Sequence, residues 1–175
     1  MSQFYKIGGF ARARFLSLAG IQNQPVLDLD LMIISSDPDP ELNLDQRADV
    51  QVCPSLEDFY SSRDCTLNQC AVSPSGELVA SREAIHYLSK RQVKQTESGS
   101  RAALRTLRFG TISGLQSLVN RSDIEEATEW DVAVQFLRAN QAGFGSQYRK
   151  ALRYFGYRGR IALPDFAFGQ KTVRD

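Results

Sequence analysis

Apolar residues recur at every second position of residues 26–34. A period of two is typical of a β-strand that has one face in a core and the other toward water. The apolar positions are Leu27, Leu29, Leu31 and Ile33, and they alternate with Asp28, Asp30 and Met32. The pattern predicts a strand over the whole segment.

Two other segments favour extended structure. Residues 4–18 are predicted to be extended, with Gly8 and Gly9 marking a bulge or bend. Val50 and Val52 indicate a second short strand. Between these segments, Pro38 and Pro40 stop regular structure because proline lacks an N–H and restrains the residue before it. Residues 35–49 are therefore predicted to form an acidic loop.

Capping signals predict several helices. Ser55, followed three residues later by Asp58, resembles a capping box and predicts one helical turn through Tyr60. Ser81 is predicted to cap a helix that turns Ile85 and Leu88 inward.

A longer helix is predicted to begin at Ser100. Its apolar face carries Leu104, Leu107, Thr111, Leu115 and Leu118. Gly110 and Gly114 lie inside this pattern and each costs about 1 kcal/mol relative to alanine in a helix. We expect the helix to be broken or closely packed at these glycines.

The C-terminal third of the chain combines helix signals with the period of two residues that is typical of strands. Residues 122–138 open with a capping box and continue with alternating Trp130, Val132, Val134 and Phe136, which predicts one helical turn followed by a strand. Residues 147–155 predict a helix with basic residues facing outward and Gly156 as its C-cap. Residues 160–168 are expected to add a short strand or dock on the surface.

The elements together predict an α+β fold, an antiparallel sheet packed with a few helices. The chain has 175 residues, of which 42% are hydrophobic, and this suits one domain spanning residues 1–175. Its start has no secretory pattern, and no apolar run reaches the ~18 residues of a membrane span. A soluble, intracellular protein is expected.

Charge is sorted along the chain. Residues 1–80 carry 5 Lys and Arg against 11 Asp and Glu, whereas residues 81–175 carry 16 against 9. The halves therefore have net charges of −6 and +7, which agree with the overall +1. An acidic half and a basic half favour binding or assembly. The expected contact residues on the basic half are Arg149, Lys150, Arg153, Arg158, Arg160, Arg101, Arg105 and Arg108.

The residues offer few candidates for catalysis, and no cofactor or metal is expected. His86 is the single histidine, which makes a histidine-based triad improbable. Cys53, Cys65 and Cys70 lack zinc-site spacing, so they are expected to be reduced, buried thiols. Asp28 and Asp30 have the spacing of a Mg²⁺-dependent nuclease, but the preferred interpretation is that they form the polar face of an amphipathic strand.

A viral resemblance comes from two segments. The run Ser-Gln-Tyr-Arg-Lys-Ala-Leu-Arg-Tyr-Phe-Gly over residues 146–156 resembles the closing segment of rhabdovirus matrix proteins. Residues 26–34 are similar to a core strand of the related bornavirus matrix proteins. The chain departs from that family in having neither a lysine-rich N-terminal arm nor a Pro-Pro-x-Tyr or Pro-Thr-Ala-Pro motif. A plant-infecting member of such viruses fits these departures best.

The resemblance implies a non-enzymatic structural protein of the virion that self-assembles and bridges a nucleocapsid to a membrane. Its expected partners are its own copies, the viral nucleocapsid protein, an anionic membrane surface and RNA, and its expected place is the virion and the host cytoplasm at the membrane. Self-association is assigned to Asp37, Asp39, Glu41, Asp45, Asp49, Phe144, Phe166 and Phe168. The alternative is a small nucleic-acid-binding protein whose arginine-rich face contacts the phosphate backbone.

Overall fold

A five-stranded mixed sheet forms one side of the molecule. The computed structural model describes residues 3–22, 29–37, 40 and 49–161. The sheet has the order β3-β2-β1-β4-β5, in which β2 and β3 are parallel and the other neighbours are antiparallel. The strands are β1 (Gln3–Ile7), β2 (Asp30–Ile34), β3 (Asp49–Cys53), β4 (Cys70–Val72) and β5 (Leu78–Ala80).

Helices and a second, smaller sheet complete the described part of the fold, and the predicted α+β class is confirmed. The small sheet pairs β6 (Gln92–Lys94) with β7 (Gln116–Leu118) in parallel. A 3₁₀ turn spans Thr66–Asn68. The helices are α1 (Gly8–Ser17), α2 (Leu56–Ser61), α3 (Arg82–Ser89), α4 (Ser100–Ser113), α5 (Arg121–Glu125), α6 (Glu129–Gln141) and α7 (Gly145–Tyr154).

The strand predicted from the first apolar pattern is confirmed over Asp30–Ile34. Residues 26–28 of that prediction lie outside the described residues. Met32 and Ile33 are both fully buried although they are adjacent. Neighbouring strand residues point to opposite faces, so both faces of β2 are covered. The predicted strand at Val50 and Val52 is also confirmed, as β3.

The prediction of extended structure over residues 4–18 is wrong beyond Ile7. Gly8 takes a positive φ of 63° at the corner where β1 ends, and α1 begins there. Ala11 and Phe15 are buried four residues apart, which is a helical spacing. Alternating small and polar residues between them hid this period in the sequence.

The strand predicted over residues 130–136 is wrong, because α6 occupies this segment. Thr128 caps the helix by accepting a hydrogen bond from the Asp131 N–H. Val132 and Phe136, four residues apart, are buried, whereas Trp130 is 59% exposed. The helical period therefore fits the burial better than the period of two.

The prediction that the helix is broken or closely packed at Gly110 and Gly114 is confirmed. A Cβ at Gly110 would lie 2.0 Å from Ser117 Oγ, so the helix packs closely against β7 at this point. Gly114 takes a left-handed conformation and ends the helix. The helix formed after Ser81 also exists, but Ile85 is 54% exposed instead of facing inward.

Helix α4 lies between two of the buried clusters. Leu104 and Leu107 pack in a cluster with residues of α6 and α7, including Phe136, Tyr148 and Leu152. On its other side, Phe109 packs in a cluster with α1, β4 and α3. The arginines of α4 that flank Phe109 are therefore held on a rigid element beside α1.

Candidate functional site

Asp64 is the centre of a buried polar cluster. Its Oδ1 accepts a hydrogen bond of 2.7 Å from Asn68 Nδ2, in the 3₁₀ turn that follows. Its Oδ2 lies 2.8 Å from Arg105 Nη1, an ion pair without hydrogen-bond geometry. The Asp64 carbonyl accepts from the Thr96 N–H at 2.9 Å. Two of these contacts hold the carboxylate, and the third fixes the main chain of the same residue.

Arg12 reaches the cluster from α1. Its Nη1 donates to Asn68 Oδ1 at 2.7 Å, and its guanidinium stacks 4.1 Å from the centroid of the Phe109 ring. Burial lowers the pKa of Arg12, although the neighbouring Asp64 raises it in part. The charge is thus held in an environment that penalises it.

Arg108 reaches the cluster from α4 and is only 8% exposed. Its guanidinium lies 4.7 Å from the Phe109 ring centroid. Burial, followed by repulsion from Arg138 and Arg12, lowers the pKa of Arg108 to about 10. Arg108 Nε is buried without a hydrogen-bond partner.

Arg63 completes the group. Its guanidinium lies 4.6 Å from the Phe59 ring centroid, and Nη2 donates to Gln51 Oε1 at 2.9 Å. Burial also lowers the pKa of Arg63. We call Arg12, Arg63, Arg105 and Arg108, together with Asp64, the arginine cluster.

The arginine cluster carries a surplus of positive charge. Four guanidinium groups and one carboxylate carry a net charge of +3. The Nε atoms of Arg63, Arg105 and Arg108 are buried without hydrogen-bond partners. Buried donors on cations are costly when unpaired and bind phosphate oxygens strongly.

A carboxylate lies near the same helix. Asp30 pairs with Ile7 in the β1–β2 register, and a Cβ at Gly8 would lie 2.0 Å from Asp30 Oδ2. Glycine at position 8 thus leaves the space that this carboxylate fills. Arg12 follows Gly8 by one helical turn, which places the two residues on one side of α1. Asp28, two positions before Asp30, lies outside the described residues.

The cysteines and the single histidine lie in surroundings that are typical of structural residues. Cys65 and Cys70 are buried, and burial raises the pKa of each thiol to about 12. The His86 ring packs edge-on against Tyr87, 5.2 Å between centroids. Within the described residues, no group of three or more His, Cys, Asp or Glu side chains is placed to hold a metal ion.

The predicted contact residues divide into two groups. Arg105 and Arg108 belong to the arginine cluster, and the expectation that Arg108 lies on an exposed contact face needs correction because its side chain is buried against Phe109. The others are exposed, with Arg149 stacked 5.0 Å from the Phe136 ring centroid and Arg101 paired with Asp131. The remaining exposed members are Lys150, Arg153, Arg158 and Arg160.

The residues assigned to self-association are only partly described. Asp37 and Asp49 are exposed, and Phe144 is half-buried at the start of α7. The other assigned residues lie outside the described residues: Asp39, Glu41, Asp45, Phe166 and Phe168.

Sequence reasoning missed Arg12, Arg63, Asp64 and Asn68. They come from two segments that lie far apart in the chain and meet only in the fold. The available signal was the group of polar residues around the 3₁₀ turn, with Arg63 and Asp64 before it and Asn68 within it, directly ahead of the apolar run Cys70–Val72.

No family model matches this chain, and no curated protein matches it. Several solved structures match this chain. A tRNA-processing enzyme in its apo form has a TM-score of 0.63 at 16% identity over 91% of this chain and 55% of its own. The Bacillus stearothermophilus CCA-adding enzyme in complex with CTP has a TM-score of 0.65 at 15% identity over 91% and 50%. A tRNA nucleotidyltransferase complexed with a primer tRNA and an incoming ATP analog has a TM-score of 0.60 at 16% identity over 91% and 61%.

These matches overturn the viral interpretation. The predicted matrix protein, its non-enzymatic role and its nucleocapsid and membrane partners are wrong, because 91% of the chain has the fold of solved tRNA nucleotidyltransferase and CCA-adding enzyme structures. Of the two segments that suggested the virus, residues 30–34 of one form β2 of this fold, and residues 146–154 of the other lie in α7. Among the described residues, no helix is long and apolar enough to span a bilayer. The chain spans about half of the length of most of these structures, and over that length it has the fold shared by tRNA nucleotidyltransferases.

Proposed function

We propose that this chain is a nucleotidyltransferase that transfers a nucleotide from a nucleoside triphosphate to the 3′ end of an RNA. The observation that carries the proposal is the arginine cluster of net charge +3 on the same side of α1 as the Asp30 carboxylate. The fold match supports it, since the matched proteins are described with CTP, with an ATP analog and with a primer tRNA.

The arginine cluster would bind the triphosphate. A triphosphate supplies several anionic oxygens, and arginine offers a planar set of donors that grip such oxygens in pairs. Arg108 has a lowered pKa and an unpaired Nε, so a bound anion would relieve the cost of its burial. The phosphates would therefore be both bound and oriented by this cluster.

Asp30 and Asp28 would hold a divalent cation. The fit rests on Gly8, whose missing side chain leaves room for the Asp30 carboxylate, and on carboxylate oxygens, which Mg²⁺ prefers. When bound, such a cation neutralises charge on the transferring phosphoryl group. The contribution of the chain is to fix one carboxylate at the β1–α1 corner and to orient the phosphates beside it.

Exposed arginines next to the arginine cluster offer a surface for the RNA. Arg138 on α6 lies close enough to Arg108 to lower its pKa, and Arg149 on α7 stacks on Phe136 of α6. Arginines in such a row bind a phosphate backbone without sequence preference. The exposed surface therefore continues from the proposed triphosphate site.

Incorporation of labelled nucleotide tests the proposal. The full chain is incubated with Mg²⁺, labelled CTP or ATP and a short RNA that has a free 3′ hydroxyl, and the products are resolved by length. We expect extended RNA from the wild-type chain, at least 100-fold less from Asp30→Asn, and an unchanged amount from the exposed control Glu57→Gln. Extension by Asp30→Asn at the wild-type rate, or no triphosphate binding by the wild-type chain, contradicts the proposal.

A further inference from the structure

Phe109 on α4 has three arginine side chains around its ring. The ring centroid is 4.1 Å from the guanidinium carbon of Arg12, 4.7 Å from that of Arg108 and 5.9 Å from that of Arg105. Arg12 comes from α1, whereas the other two arginines belong to α4, as Phe109 does. The ring is buried, so water screens its attraction for these cations only weakly.

The arginines around this ring repel one another. Burial, followed by repulsion from the arginines beside it, lowers the pKa of Arg108 to about 10. The arginines that repel it are Arg138, Arg12 and Arg105. Burial also lowers the pKa of Arg12, and repulsion from Arg105 contributes to that shift. Like charges in a poorly solvated place separate unless other groups hold them, so the fold needs such groups before any anion arrives.

Polar contacts hold only two of the three arginines at the ring. Arg12 donates to Asn68, and Arg105 pairs with Asp64. Arg108 forms no hydrogen bond or ion pair with any other residue that the structure describes, and its Nε is buried without a partner. The face of an aromatic ring is negative and attracts a guanidinium within about 6 Å. The ring is therefore the group that is placed to balance the charge of the third arginine.

We propose that Phe109 is a positioning residue of the triphosphate site: its ring holds the three arginines together, so that they face one anion before it binds. The side chain of Phe109 has no polar atom to offer the anion, and it therefore acts through the arginines. A set of donors that is held in place binds more tightly, because less side-chain freedom is lost on binding. The inference rests on the proposed function, since these arginines are the ones that would bind the triphosphate.

Titration of the full chain with inorganic tripolyphosphate tests this role without a nucleoside. The variant is Phe109→Leu, and the matched control is Phe136→Leu, which removes another buried ring with an arginine on it, Arg149, outside the arginine cluster. We expect the affinity to fall by about tenfold or more in Phe109→Leu and by less than about twofold in Phe136→Leu. Both variants lose buried aromatic surface, so their melting temperatures should fall by similar amounts.

The order of the arginine side chains separates positioning from packing. Nuclear magnetic relaxation of the Nε–H groups should show that Arg12 and Arg108 become more mobile in Phe109→Leu and stay unchanged in Phe136→Leu. Equal mobility in Phe109→Leu and wild type, or tripolyphosphate binding that Phe109→Leu retains in full, overturns the positioning role alone. A wild-type chain that does not bind tripolyphosphate overturns both this role and the proposed function.

Fluorinated phenylalanines at position 109 give a second test that keeps the ring, should Phe109→Leu fail to fold. Each fluorine withdraws electrons from the ring face with little change in ring size, and so weakens the attraction for guanidinium groups. We expect the affinity for tripolyphosphate to fall stepwise through the monofluoro, difluoro and trifluoro rings, by about tenfold in all. A ring that only fills space would give one affinity in all four proteins, and that result contradicts the proposal.

Discussion

Arg12 and Asn68 lie 56 positions apart in the chain and are joined by a hydrogen bond of 2.7 Å from Arg12 Nη1 to Asn68 Oδ1. The other end of the same amide donates to Asp64 Oδ1, also at 2.7 Å. Asn68 therefore connects a cation of α1 to the carboxylate that pairs with Arg105. One side chain holds the two halves of the arginine cluster together.

Asn68→Ala is expected to weaken triphosphate binding by about tenfold. The substitution leaves Arg12 without its acceptor and removes one donor from Asp64, and unpaired buried polar groups cost about 1–3 kcal/mol. Isothermal titration with CTP and urea unfolding measure the two effects. Asn120→Ala serves as the control, since Asn120 caps α5 and its loss lowers stability by about 1 kcal/mol without touching the arginine cluster. Equal CTP affinity of Asn68→Ala and wild type contradicts the role given to Asn68.

Gly8→Ala is expected to lower nucleotide incorporation by roughly 100-fold, because misplacing a reactive group by about 1 Å costs that much. Its Cβ would lie 2.0 Å from Asp30 Oδ2, so the carboxylate has to move. Gly20→Ala is the matched control: Gly20 has a similar φ of 70° and nothing within 4 Å of its Cβ. Both substitutions strain the backbone by about 1–2 kcal/mol. Similar activities of the two variants would show that the space at Gly8 is not needed to position Asp30 for the reaction.

The sequence predicts the helices best where caps and helical spacing agree. Ser81 and Ser55 each accept the backbone hydrogen bond expected of a cap, and Tyr148 and Leu152 are buried as their spacing requires. Residues 130–136 give a wrong prediction because a period of two and a helical period fit the same short run. Burial of Phe136 decides between them, and burial is a property of the folded chain.

The candidate site was much less predictable. The sequence pattern selects Asp30 through its place on an amphipathic strand, and it selects Arg105 and Arg108 through the charge of their surroundings. It does not show that Arg108 points inward, since an arginine at a helix position with an apolar neighbour is usually exposed. The link from Arg12 through Asn68 to Asp64 depends on contacts between distant segments. Neither composition nor spacing encodes such contacts.

Stability is expected to fall as pH rises above 9, owing to Cys65 and Cys70. Burial raises the pKa of each thiol from 9.0 to about 12. The unfolded chain then loses protons near pH 9 while the folded chain retains them, so this contribution is complete below pH 9 and is lost toward pH 12. From pH 8 to 9.5 the ionisation of the two thiols in the unfolded chain is expected to lower the free energy of unfolding by roughly 1–2 kcal/mol.

Urea unfolding under reducing conditions measures this slope. The series stops at pH 9.5, below the pKa of Arg108 of about 10, whose titration acts in the opposite direction. The double variant Cys65→Ala, Cys70→Ala is expected to be less stable at pH 7 and to have a flatter slope. An unchanged slope in that variant contradicts the assignment to these thiols.

Arg108→Met is expected to preserve the stability of the fold and to weaken the binding of CTP. Arg108 is buried, its Nε has no hydrogen-bond partner, and three neighbouring arginines repel it. Replacing a buried, poorly compensated charge by an apolar side chain of similar length is often neutral or stabilising by about 1–4 kcal/mol. We therefore expect a free energy of unfolding at least equal to that of wild type. Because the variant loses a donor for the phosphates, its affinity for CTP should fall at least tenfold.

Arg82→Met is the matched control for Arg108→Met. Arg82 lies exposed at the start of α3, away from the arginine cluster, and its loss should change neither stability nor CTP affinity appreciably. Urea unfolding without ligand and titration with CTP give the two quantities for each variant. If Arg108→Met is less stable than wild type but binds CTP with the same affinity as wild type, then Arg108 is a structural residue. The chain would then retain this arginine for packing on Phe109, and the triphosphate site would have to be sought elsewhere on the fold.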